Sequence, residues 1–140
     1  MNGAVTTAAE TPAIDIARFE AGDVAAEEFT HTAHVYVAWL YLTERTLPDA
    51  IERYSSALKR LTRKLGVEGK YHETITWFYL IVIAERLSRG GVSDWADFAA
   101  RNSDLLEQNA PLLARSYSQE RLGSNLARHQ FILPDLTPLL

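Results

Sequence analysis

The sequence predicts an all-α fold: a compact bundle of three to four main helices, followed by short C-terminal helices and an extended tail. Two stretches, 33–42 and 75–84, are apolar on nearly every side, which indicates central, buried helices. A third stretch, 51–65, repeats apolar residues at alternating three- and four-residue spacing, as expected of a helix with one side facing a core. Strand signals are weak along the whole chain.

The N-terminal part predicts a flexible tail over residues 1–13, followed by a single helical domain over 14–140. A short helix over 14–20 is expected to end at Gly22, because glycine readily adopts the left-handed conformation that closes a helix. Asp23 is then placed to cap a turn over 24–28.

Three long helices are predicted next. The first covers about 30–44. The second follows Thr46, with Pro48 and Asp49 in its first turn, and ends at Gly66. The third covers about 70–88 and ends at Gly90. Its many β-branched and aromatic residues are also typical of a buried strand, but about 18 residues without a turn signal favour a helix.

The C-terminal third predicts several short elements. Ser93 is expected to cap a helix over 94–101, and the last segment, 132–140, is expected to be extended because it contains two prolines. Its leucines are expected to pack across the bundle. Four further short helices are predicted over 104–108, 111–117, 119–122 and 125–130.

Composition excludes several functional classes. The 140 residues include 14 Lys and Arg against 18 Asp and Glu, a net charge of −4, which argues against a general nucleic-acid-binding protein. The absence of cysteine excludes disulfide frameworks and thiolate metal sites. The N-terminus lacks a signal-peptide pattern, and the apolar stretches are too short to span a membrane. We therefore expect a cytoplasmic protein.

Three of the four histidines fall in two short clusters. His31 and His34 are three residues apart and share one helix face. His72 lies in the first turn of the third long helix, with Thr76 and Tyr79 on the same face. Short loops make successive helices antiparallel, so the first and third long helices begin at the same end of the bundle. We expect the three imidazoles to converge there and to be neutral.

The two histidine clusters form sequence patterns that are similar to those of another group of proteins. The pattern F-T-H-x-x-H, formed by Phe29 to His34, followed by K-Y-H-E-T-x-T, formed by Lys70 to Thr76, resembles a group of small, uncharacterised bacterial proteins. The ending P-D-L-x-P-L, from Pro134 to Leu139, is similar to the ending of that group. The resemblance covers about residues 15–140 and implies no particular activity.

One interpretation of the clusters is a metal site. His31, His34 and His72, with Glu28 or Glu73 as a carboxylate ligand, would suit Zn²⁺ or non-haem Fe²⁺. The chain lacks the H-E-x-x-H spacing of zincins. It has one Glu-x-x-His copy where a di-iron centre needs two.

A second interpretation is acid–base chemistry on a small molecule without a metal. His34 or His72 is then the base, Tyr71 or Tyr79 donates a hydroxyl proton, and Thr76 positions the ligand. A lyase, isomerase or cyclisation reaction fits this set.

Structural roles form the remaining alternatives. Histidines can be satisfied by hydrogen bonds, with His31 capping its own helix and Thr74 and Thr76 bonding to the preceding turn. The protein would then be an interaction module or a small-molecule-binding protein without catalytic chemistry, and a homodimer that buries an apolar face is expected in the first case. The tryptophans, Trp39, Trp77 and Trp95, are expected in the core or in a pocket wall.

Overall fold

A computed structural model describes residues 11–90 and 94–139, and these form helices, turns and irregular segments without a strand. The predicted all-α class is confirmed. No helix in the described ranges is long and apolar enough to cross a membrane. The helices are α1 (Ile16–Ala21), α2 (His31–Glu44), α3 (Leu47–Lys64), α4 (Glu73–Gly90), α5 (Trp95–Arg101), α6 (Pro111–Ser116), α7 (Gln119–Leu122) and α8 (Asn125–His129), with 3-10 turns at Ala26–Glu28, Glu68–Lys70 and Ser103–Leu105.

The long helices begin where hydroxyl side chains can cap them. The Thr30 hydroxyl accepts a hydrogen bond from the Ala33 amide at the start of α2, and Thr46 accepts one from Asp49 at the start of α3. Each bond satisfies an amide that the first helical turn leaves unpaired. Helix α4 begins at Glu73, three residues later than predicted, because residues 68–70 form a 3-10 turn.

Helices α2, α3 and α4 each contact the other two and form the centre of the fold. Helix α2 is buried on several sides, as its apolar sequence predicts, whereas α3 buries one stripe. The shorter α1 packs on α2 and α3, and α8 packs on α4. Ile14, which is 2% exposed, is the first buried residue of the described ranges.

Two predicted tryptophans belong to the core. Trp39 and Trp95 are buried, with ring centroids 5.6 Å apart. Trp77 is partly exposed and stacks on Phe131.

Several predicted caps and turns differ in detail. Asp23 does not cap the turn after α1, because its carboxylate pairs with Arg18 at 3.5 Å. Helix α5 begins after Asp94, whose carboxylate accepts from the Asp97 amide, and the predicted cap Ser93 lies outside the described residues. The helix predicted over 104–108 is a single 3-10 turn, Ser103–Leu105.

The C-terminal segment lies outside the helices, as its prolines require, but only part of it packs on the bundle. Ile132 is buried, whereas Leu133 is 66% exposed and Leu136 is 57% exposed. The prediction that the leucines of this segment pack across the bundle is therefore wrong for these two. Hydrogen bonds to backbone groups of the segment hold it in place instead. The Tyr117 hydroxyl donates to the Ile132 carbonyl at 2.6 Å.

Thr74 joins α4 to this C-terminal segment. Its fully buried hydroxyl lies 2.7 Å from the Ala127 carbonyl oxygen and 2.8 Å from that of Gln130, and it accepts from the Ile132 amide. The prediction that Thr74 bonds back to its own helix is wrong. Its hydroxyl serves backbone groups more than 50 residues away in the chain.

Replacing Thr74 with valine tests this junction. Thr74→Val keeps the side-chain shape but removes the hydroxyl, which leaves buried backbone groups without a partner, so the free energy of unfolding should fall by about 2 kcal/mol. Urea denaturation followed by circular dichroism measures the change. The matched control is Thr43→Val, at an exposed position of α2, which should change stability by less than about 0.5 kcal/mol. Equal losses in the two variants would contradict the assignment.

Candidate functional site

A cavity of about 460 Å³ lies between α2, α3 and α4. This volume falls within the usual range for small-molecule sites, about 300–1,000 Å³. Its wall is mainly apolar, with a few polar side chains. The lining residues are Ala26, Phe29, His31, His34, Val35, Ala38, Tyr54, Leu58, Leu61, Thr62, Leu65, Val67, Lys70, Tyr71, His72, Ile75, Thr76, Tyr79 and Leu80.

Helix periodicity explains which residues reach the cavity. Helix α2 contributes residues 31, 34, 35 and 38, which form one face at the beginning of that helix. Helix α4 contributes residues 75, 76, 79 and 80 from its first two turns, and His72 precedes them. The last turns of α3 lie opposite the first turns of α2 and α4. Residues 58 and 61 of α3 and residue 65, just after it, line the cavity there. The antiparallel arrangement predicted from the short loops therefore brings all three predicted histidines to one cavity.

His34 has an imidazole that forms no hydrogen bond with the described residues. Its ring stacks on Phe29, with centroids 3.8 Å apart and planes inclined by 27°. Burial, together with the neighbouring imidazole of His31, lowers the pKa of His34 to about 4. The ring is therefore neutral at pH 7, and it offers one donor and one acceptor nitrogen to the cavity.

The other two imidazoles are engaged by the backbone. His31 Nε2 donates to the Leu105 carbonyl at 2.8 Å, and Thr30 rather than His31 caps α2. His72 uses both nitrogens: Nε2 donates to the Leu122 carbonyl at 2.8 Å, and Nδ1 accepts from the Ile75 amide at 3.2 Å. Burial is the main cause that lowers the pKa of His72. These bonds define the Nε2–H tautomer of each ring and connect the cavity wall to the C-terminal third of the chain.

The predicted hydroxyl groups differ in their availability. Thr76 donates back to the His72 carbonyl at 2.8 Å, as the structural interpretation predicts. The Tyr71 hydroxyl donates to a Glu73 carboxylate oxygen at 2.5 Å. The Tyr79 hydroxyl has no hydrogen-bond partner among the described residues, and its ring meets His31 edge-on. Burial raises the pKa of both tyrosines, so both hydroxyls stay protonated at neutral pH.

The two predicted carboxylates do not line the cavity. Glu28 pairs with Arg18 at 3.1 Å. Glu73 accepts from Tyr71 and lies 3.7 Å from Lys59. Each carboxylate forms an ion pair or a hydrogen bond with another side chain, and neither forms one with the three imidazoles.

This arrangement does not fit a shared metal ion. Across residues 11–90 and 94–139, no group of three or more histidine and acidic side chains is placed to hold one. The three histidines line the same cavity, but their nitrogens are not directed at one point. Two of them direct Nε2 to backbone carbonyls. We therefore derive no step through zinc or iron.

Several wall residues were not predicted as part of a site. The stripe of α3, which predicts a core face, supplies the cavity with Tyr54, Leu58, Leu61 and Leu65. Lys70, the first residue of the K-Y-H-E-T-x-T pattern, lies at the exposed edge of the cavity, and the pattern itself does not predict a role for it. Periodicity identifies a buried face but cannot distinguish a filled core from a cavity wall.

Comparisons with family models, with curated proteins and with solved structures each find no match to this chain.

The buried His34 ring predicts an acid-sensitive contribution to stability. The folded pKa is about 4 against an ordinary value of 6.5, so the unfolded chain binds the proton more readily between these values. Stability is fully present above pH 6.5 and is lost as the pH falls toward 4, by up to about 3 kcal/mol.

Urea unfolding of wild type and His34→Gln at pH 7 and pH 4.5 measures this contribution. The variant lacks the titrating ring, so its loss of stability between the two pH values should be smaller than that of the wild type. His129→Gln, at an exposed position, is the matched control and should follow the wild type. Equal acid losses in wild type and His34→Gln would contradict the burial of a neutral His34.

Proposed function

We propose that the protein binds a small organic molecule in the cavity between α2, α3 and α4, with His34 contacting the polar part of the ligand. The observation that carries the proposal is the unpartnered imidazole of His34 on the wall of a mainly apolar cavity of about 460 Å³. The His34 side chain is half-buried, and its nitrogens form no hydrogen bond with the described residues. A ligand hydroxyl, carbonyl or carboxyl group would supply one here.

The properties of His34 favour binding over proton transfer. A general base works best when its pKa lies near the working pH, and the pKa of His34 is about 4. To accept a proton at Nδ1, His72 would have to give up the hydrogen bond from the Ile75 amide. Acid–base catalysis by His34, with Tyr79 as the free hydroxyl donor, remains the enzymatic form of the proposal.

The expected compartment of the protein is the cytoplasm.

Filling the cavity tests the proposal. Ala38 is buried on the wall, so Ala38→Leu places three additional carbon atoms in the ligand space. We expect 1-octanol to bind the wild type in isothermal titration calorimetry and to bind Ala38→Leu at least tenfold more weakly. Leucine at this position fills empty volume, so the variant should keep its melting temperature. The control is Ala114→Leu, at an exposed position of α6, which should bind 1-octanol like the wild type. Absence of 1-octanol binding to the wild type would overturn the proposal.

A second candidate function is an interaction module that forms a homodimer. One observation favours it: the large apolar side chains of the described residues that are more than half exposed are Leu126, in α8, and Leu133 and Leu136, in the C-terminal segment. Clustered exposed apolar side chains often mark interfaces.

Analytical ultracentrifugation at micromolar concentration tests the homodimer. The expected result is a dimer that dissociates in the double variant Leu133→Ser, Leu136→Ser, because the apolar area buried at the interface is lost. The exposed variant Thr43→Ser serves as the control and should stay dimeric. A wild-type monomer across the concentration range would exclude this candidate.

A further inference from the structure

The cavity wall contains a basic side chain but no acidic one. Apart from the histidines, the lining residues include one charged side chain, Lys70, and no aspartate or glutamate. The chain as a whole carries an excess of acidic residues, with a net charge of −4. An acid-free wall in an acidic protein disfavours cationic ligands and admits anionic or neutral ones.

Lys70 is placed to meet a ligand at the mouth of the cavity. It and Ala26 are the exposed residues of the wall, whereas the others are buried or half-buried, so the opening lies between the turns Ala26–Glu28 and Glu68–Lys70. Lys70 forms no ion pair with the described residues. The two turns also carry Glu27, Glu28 and Glu68, none of which lines the cavity, and Glu28 pairs with Arg18.

Arg128 adds a second positive charge beside the same turn. Its guanidinium donates to the Gly69 carbonyl at 2.6 Å and lies 3.3 Å from the Tyr71 carbonyl oxygen. It forms no ion pair with a described carboxylate. The carbonyl groups on either side of Lys70 therefore bind this cation, which does not line the cavity, and Lys70 is the lining cation.

The interior of the cavity is apolar. Its innermost wall consists of buried side chains such as Val35, Ala38 and Leu80. Ala38 lies seven residues beyond His31 along α2, a rise of about 10 Å. The cavity thus passes from Lys70 at its mouth, past the neutral His34 ring, to an apolar end.

We infer that the ligand is an amphipathic organic monocarboxylate, with its carboxylate beside Lys70 and its apolar part between α2, α3 and α4. The inference rests on the proposed function, since it names the class of ligand for the same cavity. A single lysine at the mouth matches a single negative charge, and the apolar interior matches a chain or ring of about 10 Å.

Three eight-carbon probes that differ only in the head group test the inference: octanoate, 1-octanol and octylammonium. Isothermal titration calorimetry of the wild-type protein at pH 7.5 should give octanoate an affinity at least tenfold higher than that of 1-octanol. Octylammonium should bind more weakly than 1-octanol. Octyl phosphate is included as a second anion, and tighter binding of octyl phosphate than of octanoate would overturn the assignment of a carboxylate.

Matched variants separate Lys70 from the overall charge of the protein. Lys70→Gln should weaken octanoate binding about tenfold and leave 1-octanol binding within twofold. Arg63→Gln removes an exposed cation of α3 that does not line the cavity, and it should leave octanoate binding within twofold. Equal effects of the two variants would assign the preference to general electrostatics and overturn the role of Lys70.

The outcomes distinguish this inference from the proposed function. If 1-octanol binds and octanoate has no advantage, the cavity binds small molecules and the monocarboxylate inference is wrong. If none of the probes binds the wild type, the proposed function itself fails.

Discussion

The short C-terminal elements leave backbone carbonyl groups without hydrogen-bond donors of their own. Side chains of the long helices supply these donors, and the packing of the C-terminal third on the bundle depends on them. Helices of four to six residues bond only a fraction of their own backbone groups. The donors come from the bundle: His31 for Leu105, His72 for Leu122 and the Thr74 hydroxyl for the end of α8. Because buried backbone groups without partners cost free energy, these polar side chains stand on otherwise apolar helices.

This requirement also shapes the cavity. His31 and His72 are directed toward distant carbonyls, so they stand on the wall as fixed N–H donors with defined tautomers. The His34 imidazole, from the same cluster of histidines, has no hydrogen-bond partner within residues 11–90 and 94–139, and its ring stacks on Phe29. The histidines thus divide into two that hold the fold together and one that is available to a ligand. The neutrality of His34 follows from burial, since a charged imidazole would lose its hydration.

The sequence predicted much of the fold because its local signals agree with one another. Thr30 and Thr46 cap the helices that the apolar patterns predict, and the left-handed conformation of Gly22 closes α1. The prediction was less accurate where a side chain has several partners to choose from. Asp23 is a plausible cap by sequence, yet it pairs with Arg18, and Thr74 bonds to residues more than 50 positions away. Such choices depend on contacts between segments far apart in the chain.

The sequence by itself determined the helical class, the order of the helices and the end of the bundle at which the histidines meet, because periodicity, caps and short loops are local properties. The tertiary structure alone decided what each of these residues does. Whether an imidazole is free or bonded depends on which carbonyl reaches it, and whether the stripe of α3 fills a core or lines a cavity depends on the distance between three helices. Both are set by packing between segments that the sequence pattern describes only one at a time.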